Sequence, residues 1–208
     1  MISQVIDTPQ EAAPRLAELG LRRDDLVGAL QLGLDAAASC TPHDPPNTAG
    51  FLQWARTVSG LRDTLVPRGW KADSARNYPT VVSPDGSVAL AVAAGDYNTG
   101  LSGGRPATRS PKGPATKDAV ALNQMSFAEI ERSFVDITIV PRSTWLLLHY
   151  HDTVTGEVRF ELSLPGGFDQ DDVVTSWYER IILAPFSTSY QPPEETESMP
   201  IDVSVVRR

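Results

Sequence analysis

The sequence predicts an α+β domain, with N-terminal helices packed on a largely antiparallel β-sheet of about five to seven strands. Three observations carry that reading. Up to Leu65 apolar residues recur at helical spacing, from Trp70 the period falls to two, and turn residues part the strand-like runs of the second half. A chain of 208 residues, 41% hydrophobic and 21% charged, suits one folded domain. Its parts are a helical region (1–68), a first hairpin (69–94), a Gly/Pro-rich basic loop (95–117), a helix plus β-hairpin sheet (118–191), and a linker with an edge strand (192–208).

The first helix is signalled by Thr8 as cap, Pro9 at the first helical position and Glu11 three residues after the cap. Pro14 interrupts that pattern and offers a second start, and Gly20 ends it. Leu26, Leu30 and Leu34, with Val27 beside them, make one apolar stripe and predict a core-facing helix from Asp24 to Ser39. Gly28 and Gly33 each weaken it by about 1 kcal/mol against alanine, and so mark close packing with a neighbour. The prolines of TPHDPPNT (41–48) break the chain, and Thr48 caps a helix from Ala49 to Leu65. Its apolar face runs through Phe51, Leu52, Ala55, Val58, Leu61 and Leu65, widened by Trp54, until Pro67 and Gly69 stop it.

YPTVV and SVALAVAA flank SPDG, a hairpin with turn chemistry in place. The second of these strands, Ser87 to Ala94, is apolar at nearly every position, which predicts cover on both faces. After loop 95–117, ATKDAVALNQM reads as a short helix capped near Thr116, extended by SFAEIERSF after a bend. Strands follow at Val135–Val140, Ser143–His151 and Gly156–Leu164, the last two flanking the turn DTVTG. Val158, Phe160, Leu162 and Leu164 alternate with Glu157, Arg159, Glu161 and Ser163, so one face is buried and the other wet. PGGFDQDD reads as a solvated loop, without the frame of a calcium site. Val173 to Leu183 is strand on its β-branched and aromatic content, SYQPPEETESMP is a linker, and IDVSVV is a closing edge strand. The helices are expected on one side of the sheet.

The net charge of -8 is unevenly spread. Residues 61–117 carry eight cations against four acids, whereas 118–208 carry six against fifteen. An acidic chain disfavours generic coating of duplex DNA, while a basic middle suits a focused anion site. No run of about 18 apolar residues predicts a membrane span, and the first residues lack the pattern of a secretion signal. Cys40 is the single cysteine, so no internal disulfide forms and a cytoplasmic location is expected.

Loop 95–117, GDYNTGLSGGRPATRSPKGPATK, is the first candidate site. Its glycines allow close backbone approach and it leaves the end of an apolar strand. Asp96, Asn98 and Thr99 offer polar ligands, and Arg105, Arg109, Lys112 and Lys117 offer cationic donors. That set predicts a protein that binds, or binds and processes, a phosphate-bearing ligand such as a nucleotide or nucleic acid; the GxxxxGK[ST] frame is absent. Asp96 and Glu161 are the candidate catalytic acids of a metal-assisted reaction, although the E-x-K spacing of such nucleases is missing. His149 and His151 share a strand face with Asp152 beside them, and would hold a divalent metal if a further ligand joined them. A second reading is a non-enzymatic acidic interaction or inhibitor protein that docks a basic protein partner, with Glu194, Glu195 and Glu197 in its contact surface.

Overall fold

The computed structural model describes residues 4–132 and 142–188. In chain order the elements are β1 (Gln4–Ile6), α1 (Pro9–Glu18), α2 (Arg23–Ala38), α3 (Thr48–Leu65), β2 (Lys71–Asp73), β3 (Thr80–Val82) and β4 (Val88–Ala94). Then come α4 (Pro114–Arg132), β5 (Ser143–Asp152), β6 (Glu157–Phe168) and β7 (Val174–Ser187). The strands form one seven-stranded sheet in the order β1-β7-β6-β5-β4-β3-β2. Four pairings are antiparallel, while β1 runs parallel to β7 and β4 parallel to β5. The α+β architecture is therefore present, on a mixed and mostly antiparallel sheet.

Side chains along β5 alternate between two apolar layers. Trp145 and Leu147 join Phe160, Leu162, Ile181 and Leu183 beneath α1, α2 and α3. Leu146 and Leu148 join Ala91, Ala93, Val174 and Trp177 on the other face. Here the expectation of helices on one side fails. A parallel β4–β5 pair needs a crossover connection, and loop 95–113 with α4 supplies it across the second face. Asn123 of α4 fastens there, donating to Thr144 O at 3.0 Å and accepting from Thr144 N–H at 2.8 Å.

Local signals placed most boundaries well. Pro14 lies inside α1 rather than starting it, and Thr8 donates its hydroxyl to Glu11 at 2.8 Å. The run Val174–Ser187 is strand, as its side chains suggest. PGGF is not a loop, because β6 continues to Phe168 through a series of register shifts against β7. The short β2 was not foreseen. The strands expected at Val135–Val140 and in IDVSVV lie outside the described residues. Among the described residues no helix is long and apolar enough to cross a membrane.

The α2–α3 pair sits close because of glycine. A Cβ on Gly33 would stand 2.2 Å from Thr57 Oγ1 and 2.5 Å from Gln53 O, and one on Gly60 would stand 2.9 Å from Ala29 Cα. Gly28, which carries the same sequence signal as Gly33, has nothing within 4 Å of its Cβ position. Gly33→Ala should therefore lower the unfolding free energy by about 1–3 kcal/mol through overpacking. Gly28→Ala should raise it by up to ~1 kcal/mol through helix propensity. Urea denaturation of the two variants reads the difference in sign.

Candidate functional site

Loop 95–117 turns its backbone toward the sheet. Gly95 N–H donates to His149 O at 2.8 Å, Asp96 N–H to Ala107 O at 3.0 Å, and Thr108 N–H to Val174 O at 3.0 Å. Trp177 Nε1–H closes on Pro106 O at 2.8 Å. The central anchor is an ion pair on the same face. Glu161 and Arg180 are both buried, and the guanidinium meets the carboxylate twice, Nε to Oε1 at 3.0 Å and Nη2 to Oε2 at 2.6 Å. Arg180 also donates to Gly104 O at 2.8 Å and Leu101 O at 3.1 Å. Glu161 accepts from Ser163 Oγ–H at 2.8 Å and from Gly100 N–H at 3.0 Å. Gly100 suits that contact: its φ is +74°, and a Cβ there would lie 2.8 Å from the Arg159 side chain.

The candidate side chains of the loop are scattered by this arrangement. Asp96 accepts from the backbone and side-chain nitrogens of Asn98, at 3.1 and 3.2 Å, and so builds its own turn. Thr99 is buried, and its hydroxyl has no hydrogen-bond partner among the described residues. Lys117 is held by Asp172 at 2.6 Å. Lys112 is half-buried, and burial pushes its ammonium below the ordinary lysine value. Arg105 and Arg109 have exposed side chains, and the Arg109 N–H donates to Ala94 O at 2.9 Å. Glu161 is enclosed with Arg180, which corrects its reading as a wet-face acid: the polar face of β6 is covered by the loop.

His149 and His151 do share a face, the one beneath the N-terminal helices. His149 is buried, with Gln53 Nε2 at 3.5 Å from its Nδ1. Burial and the neighbouring His151 push its pKa down to about 4, so the ring is neutral at physiological pH. Burial likewise lowers His151, against the pull of Asp152. Asp152 faces its own hairpin turn, accepting from Val154 N–H at 3.0 Å and Thr155 N–H at 3.2 Å. Among the described residues no group of three or more His, Cys, Asp and Glu side chains is placed to hold a metal ion.

Open space lies elsewhere. A groove of about 490 Å³ runs between α1, the start of α2 and the last third of β7. Ala12, Leu16, Leu21 and Leu183 form its apolar floor, the small side chains of Ala13 and Ala17 flank it, and Gly100 and Ser102 of the loop close one side. Asp7, Arg22 and Arg23 are its charged members. Arg22 is drawn to the buried Asp25 at 2.9 Å, which Arg68 meets from the other side at 2.6 Å. Burial alone would raise the Asp25 carboxyl, but the two guanidiniums outweigh it and hold it below the ordinary carboxylate value. Arg23 donates to Ala184 O through Nη2 at 2.6 Å and Nε at 3.2 Å.

That carbonyl belongs to an unpaired sheet edge. β7 extends for 14 residues, while β1 pairs with it only at Glu179, Arg180 and Ile181. Along Ile182–Ser187 no strand lies on that side among the described residues. Four residues of this stretch, Ile182 to Pro185, line the groove. None of the groove's charged residues was a sequence candidate. The available signal was faint: three alanines on one helix, and two adjacent arginines at the start of the next.

Two expectations test this account. Glu161→Gln should cost about 3–5 kcal/mol by leaving Arg180 buried without its counter-charge, whereas Glu161→Leu combined with Arg180→Met should cost less than the sum of the single changes. Amide exchange at Gly100–Gly104 should quicken in the single variant, and an unchanged loop would refute the anchoring role. His149 supplies a pH dependence. Its folded pKa of about 4 lies below the ordinary 6.5, so the unfolded chain binds the extra proton as pH falls between those values. Up to about 3 kcal/mol of stability, complete above the upper value, is thereby lost toward the lower one. Chemical denaturation across that window should show the loss, and His149→Gln should flatten it.

Comparison of the chain with protein-family models, curated proteins and solved structures finds no match.

Proposed function

We propose that the protein is a non-enzymatic interaction module that takes an extended segment of a partner protein along the free edge of β7. One observation carries this reading: the stretch of β7 left unpaired beyond β1 is also the stretch that lines the apolar groove. A strand laid beside Ile182–Ser187 would pair with the edge groups that Pro185, which has no N–H, and Arg23, which donates to Ala184 O and Pro185 O, leave open, and its inward side chains would fill the space over Ala12, Leu16 and Leu183. Backbone hydrogen bonds supply affinity in such complexes, and pockets for alternate side chains supply selectivity. Exposed edges of this length are ordinarily blunted or covered, and an apolar hollow beside one marks a contact surface.

The mouth of the groove carries both signs of charge, so the favoured segment is apolar in alternation, with polar flanks of mixed charge. A phosphate site on loop 95–117 has less support, because the loop contributes Gly100 and Ser102 to the groove and none of its cations. One of those cations, Lys117, is already neutralised by Asp172.

Peptide display against the immobilised protein tests the reading. Selected peptides should share a short run of alternating apolar residues. Ala17→Trp, which fills the groove from an exposed position, should abolish their binding without lowering the melting temperature. Selection of no common pattern, or of peptides that bind the tryptophan variant equally well, would overturn strand docking.

A further inference from the structure

We infer that the docked segment carries an acidic residue that Arg22 receives and a basic residue that Asp7 receives, one at each end of its apolar run. The inference rests on the strand-docking reading above and names the chemistry of the partner.

The three charged residues of the groove are not equivalent. Arg23 is engaged within the fold. It donates to Ala184 O at 2.6 and 3.2 Å and to Pro185 O at 3.4 Å, and its guanidinium stands 5.7 Å from the centre of the Phe160 ring. Arg22 is open. Its side chain is 71% exposed, and among the described residues only its Nη2 is bonded, to Asp25 Oδ1 at 2.9 Å. Asp7 is exposed, and its carboxylate has no partner among the described residues.

The charge on Arg22 is not balanced by Asp25. That buried carboxylate also receives Arg68 Nη1 at 2.6 Å, so two guanidiniums share one acid and a positive charge is left over. Arg68 turns its other nitrogen to Gly20 O at 2.8 Å, and Arg22 is the member of the pair that lines the groove. Asp24, the next acid along the chain, lies 3.8 Å from Arg23. An arriving carboxylate therefore meets a guanidinium with donors to spare.

The two open charges stand toward different ends of the exposed stretch of β7. Asp7 follows Ile6, which pairs with Ile181, whereas Arg22 precedes Arg23, which holds the carbonyls of Ala184 and Pro185. At that second end the sheet offers a strand less. Pro185 has no N–H, and both carbonyls already accept from Arg23. A charge contact at Arg22 makes up for ladder bonds that are missing there. A segment of reversed charge would set like charges together at both ends, and such repulsion excludes wrong partners as effectively as attraction favours the right one.

Peptide display on three full-length proteins tests the inference: the unaltered chain, Asp7→Lys and Arg22→Gln. Peptides selected by the unaltered chain should carry a base on one side of the apolar run and an acid on the other. Asp7→Lys should replace the base with an acid, and Arg22→Gln should abolish the preference for the acid. Changing the acid of one selected peptide to glutamine should weaken binding about fivefold on the unaltered chain and leave it unchanged on Arg22→Gln. Equal weakening on both proteins would mean that Arg22 acts only by steadying α2, and overturns its role. Asp7→Lys disturbs no bonded group among the described residues, so it decides the matter even if Arg22→Gln fails to fold. Apolar peptides that Ala17→Trp rejects, but that show no charge order or the same order on all the proteins, overturn the inference and leave strand docking standing. If no apolar alternation is selected, both fall.

Discussion

The buried bond between Glu161 and Arg180 is the constraint from which the geometry of the second sheet face follows. Two charges inside a protein cost several kcal/mol each in lost hydration, and are tolerated only when their mutual contact and remaining hydrogen bonds are complete. Here they are. The guanidinium spends its donors on the carboxylate and two loop carbonyls, and the carboxylate spends its acceptors on the guanidinium, Ser163 and a loop amide. A partly filled network would be worse than an apolar one, so the loop cannot leave without exposing the pair's cost. A stretch with five glycines and three prolines thereby becomes a fixed wall. That wall puts Gly100 and Ser102 at the rim of the groove.

The two borders of the sheet are managed differently, and the difference gives the groove its meaning. At one border β2 is three residues long and bears Lys71 and Asp73, and Arg62 caps its neighbourhood by donating to Asp73 O at 2.5 Å and Thr80 O at 3.1 Å. Shortness and charge are the usual protections of an edge. At the other border β1 is equally short, but the strand it covers is 14 residues long. Arg23 donates to two carbonyls there, Ala184 O and Pro185 O, and an apolar trough runs alongside. Fuller protection at one edge and only partial protection, by Pro185 and Arg23, at the other suits a surface that recognises a strand.

Much of the fold could be read from the chain because much of it is local. The leucine stripe of α2, the SPDG turn and the alternation from Val158 to Leu164 depend on neighbours a few residues apart, and they appear where the pattern puts them. What could not be read depends on distant pairs. Glu161 looked like a wet-face acid because Arg180 is 19 positions away and loop 95–117 is farther still. Lys117 looked available for an anion because Asp172 lies on another hairpin. The parallel pairing of β4 with β5, and with it the second face of α4, follows from a crossover that no hydrophobic period records. The groove is hardest of all to see, since residues near both ends of the chain build it and half its character comes from alanine side chains that leave space instead of filling it.

Among the described residues the groove and the perturbed histidines lie apart. The most strongly perturbed histidine, His149, is shifted by burial in the core beneath the helices and does not line the groove. Perturbed groups gathered in a cleft are the physical mark of a catalytic site, whereas a trough bounded by small apolar side chains and backbone edges can hold a chain without acting on it. Recognition of that kind draws its energy from repeating units: a hydrogen bond for every second residue and a methyl-sized contact between. Each ordered residue also costs conformational entropy, so a free peptide of six residues binds weakly. In the docking proposed here, selectivity would come from how well a segment's alternating side chains match the trough.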